Sequence, residues 1–183
     1  MGGILDAELF GTAIRQATPL ILAALGGLLS ERVGVVNIGL EGKILMGAFA
    51  AALGTLLSGS LWVGLAAAVL VGLALALIHA VATQEWRTDH IVSGVAINLL
   101  ALGLSTYLFR QLIVPREEAG ESSVVPTFGA VSLGGLENLP LLKDQSWLTL
   151  FALGLPFVLL VLLMRTRWGL RVYAVATIRR RRG

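Results

Sequence analysis

No cysteine occurs among the 183 residues. That excludes a disulfide framework, a Cys-ligated zinc site and a thiol nucleophile. Charge is scarce too: 14% of residues are Asp, Glu, Lys or Arg, against roughly 25% in soluble domains. Histidine occurs only as His79 and His90. Both read as helix-end residues, and no His-Glu-x-x-His string is present, so no metal site is expected. A P-loop needs Gly, four residues, Gly-Lys, then Ser or Thr. Gly42-Lys43 supplies the middle, but Asn37 and Ile44 hold the outer positions. ATP binding through such a loop is excluded, and no cofactor is expected.

What fills the chain is apolar. Hydrophobic residues make up 56% and the mean hydropathy is +0.85. This excludes a disordered chain, a nucleic-acid-binding tail protein and an ordinary soluble enzyme domain, and favours a polytopic membrane protein. The net charge of +3 hints at an acidic partner. Yet seven of the 14 basic residues lie in the last 19 positions, so the basicity is local.

A membrane-crossing helix needs about 20 apolar residues. No charge occurs from Ile44 to Gln84, a run that Ser58-Gly59-Ser60 divides. Further uncharged runs are 16–30, 91–109 and 145–164. The expectation is an all-α polytopic membrane helix bundle with segments at about 10–30, 40–57, 61–83, 91–113 and 146–164. The N-terminus lacks a basic region, and Asp6 and Glu8 precede the first apolar run, so it does not read as a cleavable signal peptide.

The first two uncharged runs, 15 and 14 residues, are short for a crossing. Between them, Glu31 to Lys43 contains Val33, Val35, Val36, Ile38 and Leu40 with Gly34, Gly39 and Gly42. A water-exposed loop would not need those apolar residues. The 31–43 stretch is expected to be a broken or re-entrant element, or to lengthen its neighbours. Non-helical backbone at membrane depth survives only under cover of protein or a wet cavity, and such interruptions point to transport sites.

Lys and Arg set orientation. With the C-terminus inside, ten basic residues lie inside and four outside, namely Arg15, Arg110, Arg116 and Lys143. Five crossings then put the N-terminus outside. Without the seven arginines from Arg165 onward the score is three against four, so the vote leans on the tail.

Gly64, Ala68, Gly72, Ala76 and Ala80 recur every four residues in the third segment. Such small residues let a second helix approach closely. In the fourth segment, Ser93, Asn98 and Ser105 are polar residues in an apolar run. A buried Asn in lipid needs a partner or water. It serves either an interhelical hydrogen bond or the lining of a solute path. A Ser93–His79 pair for intramembrane proteolysis has no glycine-flanked nucleophile motif to support it.

These residues resemble a known family. Thr18-Pro19-Leu20 through Gly27, with Ser30-Glu31-Arg32-Val33-Gly34-Val35-Val36-Asn37-Ile38-Gly39-Leu40-Glu41-Gly42, is similar to the opening of permease subunits of bacterial ABC importers for nucleosides and simple sugars, in the branched-chain amino acid/ribose-type permease superfamily. Asp89 to Leu104 and Thr166-Arg167-Trp168-Gly169-Leu170-Arg171-Val172-Tyr173-Ala174-Val175 carry the resemblance further. It implies a membrane channel in the bacterial inner membrane that is not itself an enzyme. It also implies partners: an ATP-binding ABC subunit, a second permease subunit, a lipoprotein that delivers solute, and membrane lipid. The implied ATPase-coupling residues are Arg167, Gly169, Leu170, Arg171 and Tyr173. The implied solute path contains Asn37, Glu41, Ser93 and Asn98.

The resemblance divides the chain into a transmembrane bundle, 1–164, and a cytoplasmic coupling segment with an atypical basic tail, 165–183. After Ala174-Val175 the family continues with a Gly-Glu-Asn-Pro-like stretch and more helices, whereas this chain reads Ala176-Thr177-Ile178 and four arginines. The expectation is the first part of a longer permease. No nucleic-acid partner is expected from the tail, whose like charges repel. The alternative is a truncated, transport-defective remnant or adaptor.

Overall fold

The computed structural model describes residues 7–122, 124–126, 128 and 145–180. Lys143, Glu137 and Asp144 of the expected outer loop, and Arg181 and Arg182 of the tail, lie outside the described residues. The architecture is helical: α1 Ala7–Arg32, α2 Leu40–Ser58, α3 Leu61–Ala80, α4 His90–Leu112, α5 Val114–Glu118, α6 Trp147–Arg165 and α7 Arg167–Arg180. A π-helical turn, Val81–Glu85, prolongs α3. Five helices are long and apolar enough to cross a membrane: 9–32, 40–58, 61–85, 90–118 and 147–165. The chain is a multi-pass membrane protein. Leu70, Leu73, Leu77, Leu99 and Phe157 stand exposed on these helices, which suits a lipid solvent as apolar as they are.

The 31–43 stretch resolves into three parts. Glu31 and Arg32 finish α1, residues 33–39 are non-helical, and Leu40 to Lys43 begin α2. Both short apolar runs reach crossing length by recruiting charged ends: α1 takes in Arg15 and Arg32, and α2 takes in Glu41 and Lys43. Gly34 sits at φ +77°, a left-handed conformation that a side chain disfavours, and it turns the chain out of α1.

The described residues form two compact units, one from 1–35 with 128–183 and one from 36–127. In the second, α2 and α3 are joined by Gly59 and Ser60 alone. Gly59 is left-handed at φ +69° and its N–H caps Thr55 O. Two-residue connection forces an antiparallel pair, and the pair is close. A Cβ on Gly64 would overlap the Thr55 side chain and stand 2.6 Å from Ala51 O. One on Gly54 would stand 3.1 Å from Ala67 Cβ. Met46, Leu75 and Ala101 then join α2, α3 and α4 in one buried cluster, with Val71 against it.

The strict every-fourth stripe does not stay on this seam. Each step of four rotates about 40° around the helix, so Ala76 lies roughly 120° from Gly64. Ala76 is exposed, and a Cβ on Gly72 would meet nothing within 4 Å. The line turned inward is Gly64, Ala68, Val71, Leu75 and His79, whose spacings of four, three, four and four hold the seam.

In the first unit, α1, α6 and α7 pack together. Gln145 is fully buried and its Nε2 donates to Gly11 O at 3.1 Å, tying the start of α6 to α1. Ser146 caps α6 by accepting from the Thr149 N–H.

Candidate functional site

The α2 N-terminus is the first element of the site. A helix start leaves four N–H groups without intrahelical partners. The cap residue here is Gly39, which has no side chain to offer. The cap comes from α4 instead: Asn98 Oδ1 accepts from the Gly42 N–H at 2.8 Å. Gly42 is the third helical residue, where a local Asn or Ser cap would act. Asn98 Nδ2 donates in turn to Ile38 O at 3.1 Å. One amide thus holds both sides of the entry into α2.

This contact needs glycine. A Cβ on Gly42 would stand 2.8 Å from Asn98 Cα, and a Cβ on Gly94 would stand 2.8 Å from Gly39 N. Both neighbours are backbone, so neither can swing away. Gly39 and Gly42 on the linker side therefore face Gly94 and Asn98 on α4, a match of spacings three and four that one helical turn joins. Asp89 starts α4 by accepting from the Ile91 and Val92 N–H groups.

The remaining path residues lie around this clamp. Asn37 is half-buried and its Oδ1 accepts from Lys43 Nζ at 2.5 Å. Glu41 is exposed in the first turn of α2, where the helix dipole favours an anion. Ser93 is buried and lies 3.0 Å from His79 Nδ1. Asn98 and Ser93 are thus engaged by protein, while Glu41 is open.

Sequence reading placed His79 at a helix end, and it is the last turn of α3; it missed that the ring is buried and bonded across to α4. The His90 ring lies edge-on to it at 6.4 Å. The His79–Ser93 contact joins α3 to α4, and no glycine-flanked nucleophile motif surrounds Ser93. Among the described residues no three His, Asp or Glu side chains gather as metal ligands.

The second element is α7. Thr166 breaks the helix in extended conformation, and its Oγ1 accepts from the Gly169 N–H, so it caps α7. Gly169 lies directly on the Leu163 backbone, where a Cβ would overlap the carbonyl. Gly169 and Val172 turn inward. Arg167, Leu170 and Arg171, spaced three and four, share the exposed face, with Trp168 beside them. Tyr173 lies at the edge, and Arg32 Nη1 donates to its hydroxyl at 2.8 Å. The five residues assigned to coupling thus divide between an inward pair of contacts and an outward cationic face.

The family described as branched-chain amino acid transport system / permease component matches residues 9–180. The chain belongs to that family. Among the family's curated members, the guanosine ABC transporter permease protein NupQ of Bacillus subtilis is 39% identical over 170 residues, 87% of this chain and 52% of NupQ. The nucleoside ABC transporter permease protein NupC of Lactococcus lactis is 32% identical over the same shares. A glucose ABC transporter permease protein of Haloferax volcanii is 29% identical over 88% of this chain and 46% of its own. The permease chain spans about half the length of the curated relatives it matches. No solved structure matches it.

Proposed function

We propose that this permease chain forms part of the channel of an ABC importer that moves a nucleoside across the bacterial inner membrane. The observation that carries this is the identity of 39% with the guanosine permease protein across 87% of the chain. A simple sugar is the runner-up solute, on the likeness to the glucose permease protein. The channel does no chemistry itself. A separate ATPase powers it, a lipoprotein delivers solute from outside, and a second permease subunit completes the pore.

The N-terminus lies outside and the C-terminus inside, by the excess of basic residues on that side. Residues 165–183 then form the cytoplasmic coupling segment after the bundle of 1–164. Arg167, Leu170 and Arg171 are a cationic, exposed face suited to an acidic groove on the ATPase, while Gly169 and Tyr173 set the angle at which α7 is held. On the solute path, Asn37 and Glu41 are the residues placed to meet the solute. Asn98 holds the backbone that presents them, and Ser93 completes the path beside His79.

The test is uptake of labelled guanosine and labelled glucose in cells lacking their own nucleoside permease, with the ATPase and lipoprotein supplied. Guanosine uptake is expected, and Glu41→Ala lowers it with assembly intact. Uptake of neither solute refutes the reading. Reversing charge with Arg167→Glu and Arg171→Glu is expected to weaken ATPase copurification by about tenfold; unaltered copurification rules out the docking face.

A further inference from the structure

α1 ends on Arg32, whose half-buried side chain reaches α7. Nη1 donates to the Tyr173 hydroxyl at 2.8 Å. The guanidinium carbon also lies 5.2 Å from the centre of the Tyr173 ring, within the range of about 6 Å for cation–π attraction. A planar guanidinium engaged at both the face and the hydroxyl of one ring is held in orientation as well as in place. The two residues are 141 positions apart, so the contact joins two helices and not one local turn.

Its position in the chain gives it meaning. Tyr173 is carried by α7, whose other face bears Arg167, Leu170 and Arg171. Arg32 is followed at once by the non-helical residues 33–39. Gly34 at φ +77° is a swivel in that segment. The segment's far end is clamped to α4 through Asn98, Gly39 and Gly94. The α6–α7 corner is tightly packed, with Gly169 on the Leu163 backbone and Thr166 capping α7.

We propose that Arg32 and Tyr173 are the positioning pair that transmits movement of α7 into the linker 33–39. The pair acts through α7 and through the linker. This rests on the reading of α7 as the ATPase-docking segment.

The chain has no native cysteine, so a single introduced Val35→Cys reports the linker alone. Full-length permease in proteoliposomes with its ABC ATP-binding subunit is labelled by a water-soluble maleimide, with and without ATP and vanadate. The expected result is a change in labelling rate of at least fivefold in the Val35→Cys background. With Arg32→Gln added, the change shrinks below twofold while ATPase copurification stays at its original level; Tyr173→Leu shrinks the change as well. Tyr173→Phe keeps the ring and loses the hydroxyl, and gives an intermediate response. The two disruptive changes combined are no worse than either alone, since they break one link. A full nucleotide response in Arg32→Gln overturns the proposal. A response lost in Arg32→Gln in step with ATPase copurification overturns it too, because the pair then serves docking. Failure of the ATPase to bind the unaltered permease overturns this inference and the docking face together. Failure of guanosine uptake with an intact labelling response overturns only the solute.

Discussion

Replacing Asn98 by Leu tests whether the α2 N-terminus is capped by its neighbour. The change keeps approximate volume and removes two hydrogen bonds, from the Gly42 N–H at 2.8 Å and to Ile38 O at 3.1 Å. Interhelical hydrogen bonds inside membranes contribute about 0.6 kcal/mol on average, up to about 1.7. Loss of a helix cap costs about 0.5–2 kcal/mol. Leaving the Gly42 N–H buried and unpaired adds to this, because Gly42 is buried and no water reaches it at membrane depth. The sum is a destabilisation of about 2 kcal/mol, with a range of roughly 1–3. The assay is SDS titration of the purified chain in mixed micelles, followed by loss of helicity. Leu99→Ala, one residue on and two-thirds exposed, is the control and shifts stability by less than about 0.5 kcal/mol. A stability for Asn98→Leu equal to the Leu99→Ala control would refute the capping argument. The double change with Gly42→Ala adds a sharper check. An added Cβ meets Asn98 Oδ1 at 2.9 Å but also Asn98 Cα at 2.8 Å. Asn98→Leu leaves side-chain bulk at that place and the backbone clash untouched, while the added Cβ already disrupts the bond that Asn98→Leu deletes, so the two costs are less than additive.

Two more substitutions separate packing from composition. Gly64→Val drives its Cβ into Thr55 and Ala51 O and costs about 2–4 kcal/mol through forced separation of α2 and α3, whereas Gly72→Ala meets nothing and is neutral or stabilising by up to about 1 kcal/mol; equal effects in the same SDS titration would remove the seam argument. Ser93→Ala deletes the bond to the buried His79 ring and is expected to cost about 1–2 kcal/mol with no loss of any hydrolytic turnover, read by the same titration and by a peptide-cleavage assay; cleavage by the unaltered chain that Ser93→Ala abolishes at unchanged stability would reinstate the nucleophile.

Much of the bundle was legible because charge placement reports the bilayer directly. The five spans follow from uncharged runs, and their ends moved by at most a few residues, since charged ends such as Glu31, Arg32 and Arg165 can be helical where a hydropathy count stops. The polar residue in α4 was legible as a group that must find a partner. Its partner was not, because Gly42 and Ile38 contribute backbone, which no residue type announces. The regular stripe on α3 misled in its second half: identical spacing looks like one face in a list, but the helix turns 100° per residue, not 90°. His79 was passed over because a lone histidine near a helix end carries no signal until Ser93 is brought beside it. The Arg32–Tyr173 pair lies within two strings that the family resemblance singled out, yet their proximity is a product of tertiary packing alone.

The trans cap has a consequence for how such a channel can move. A helix capped by its own Ser or Asp keeps its start wherever it goes. α2 does not: its first turn is satisfied by a side chain of α4, and no side chain of its own stands in. Sliding α4 by one turn, about 5.4 Å, would uncap α2 and release Ile38 together. The clamp is therefore all-or-none, because the amide bonds both groups or neither and the glycines admit only one depth of contact. Interfaces of that kind switch between discrete packings more readily than they deform. The non-helical residues 33–39 are where the chain can take up the difference, being bounded by Gly34 at one end and by the clamp at the other. Filling the clamp with Gly94→Ala would hold it permanently open, and the linker would then respond to nothing passed along it.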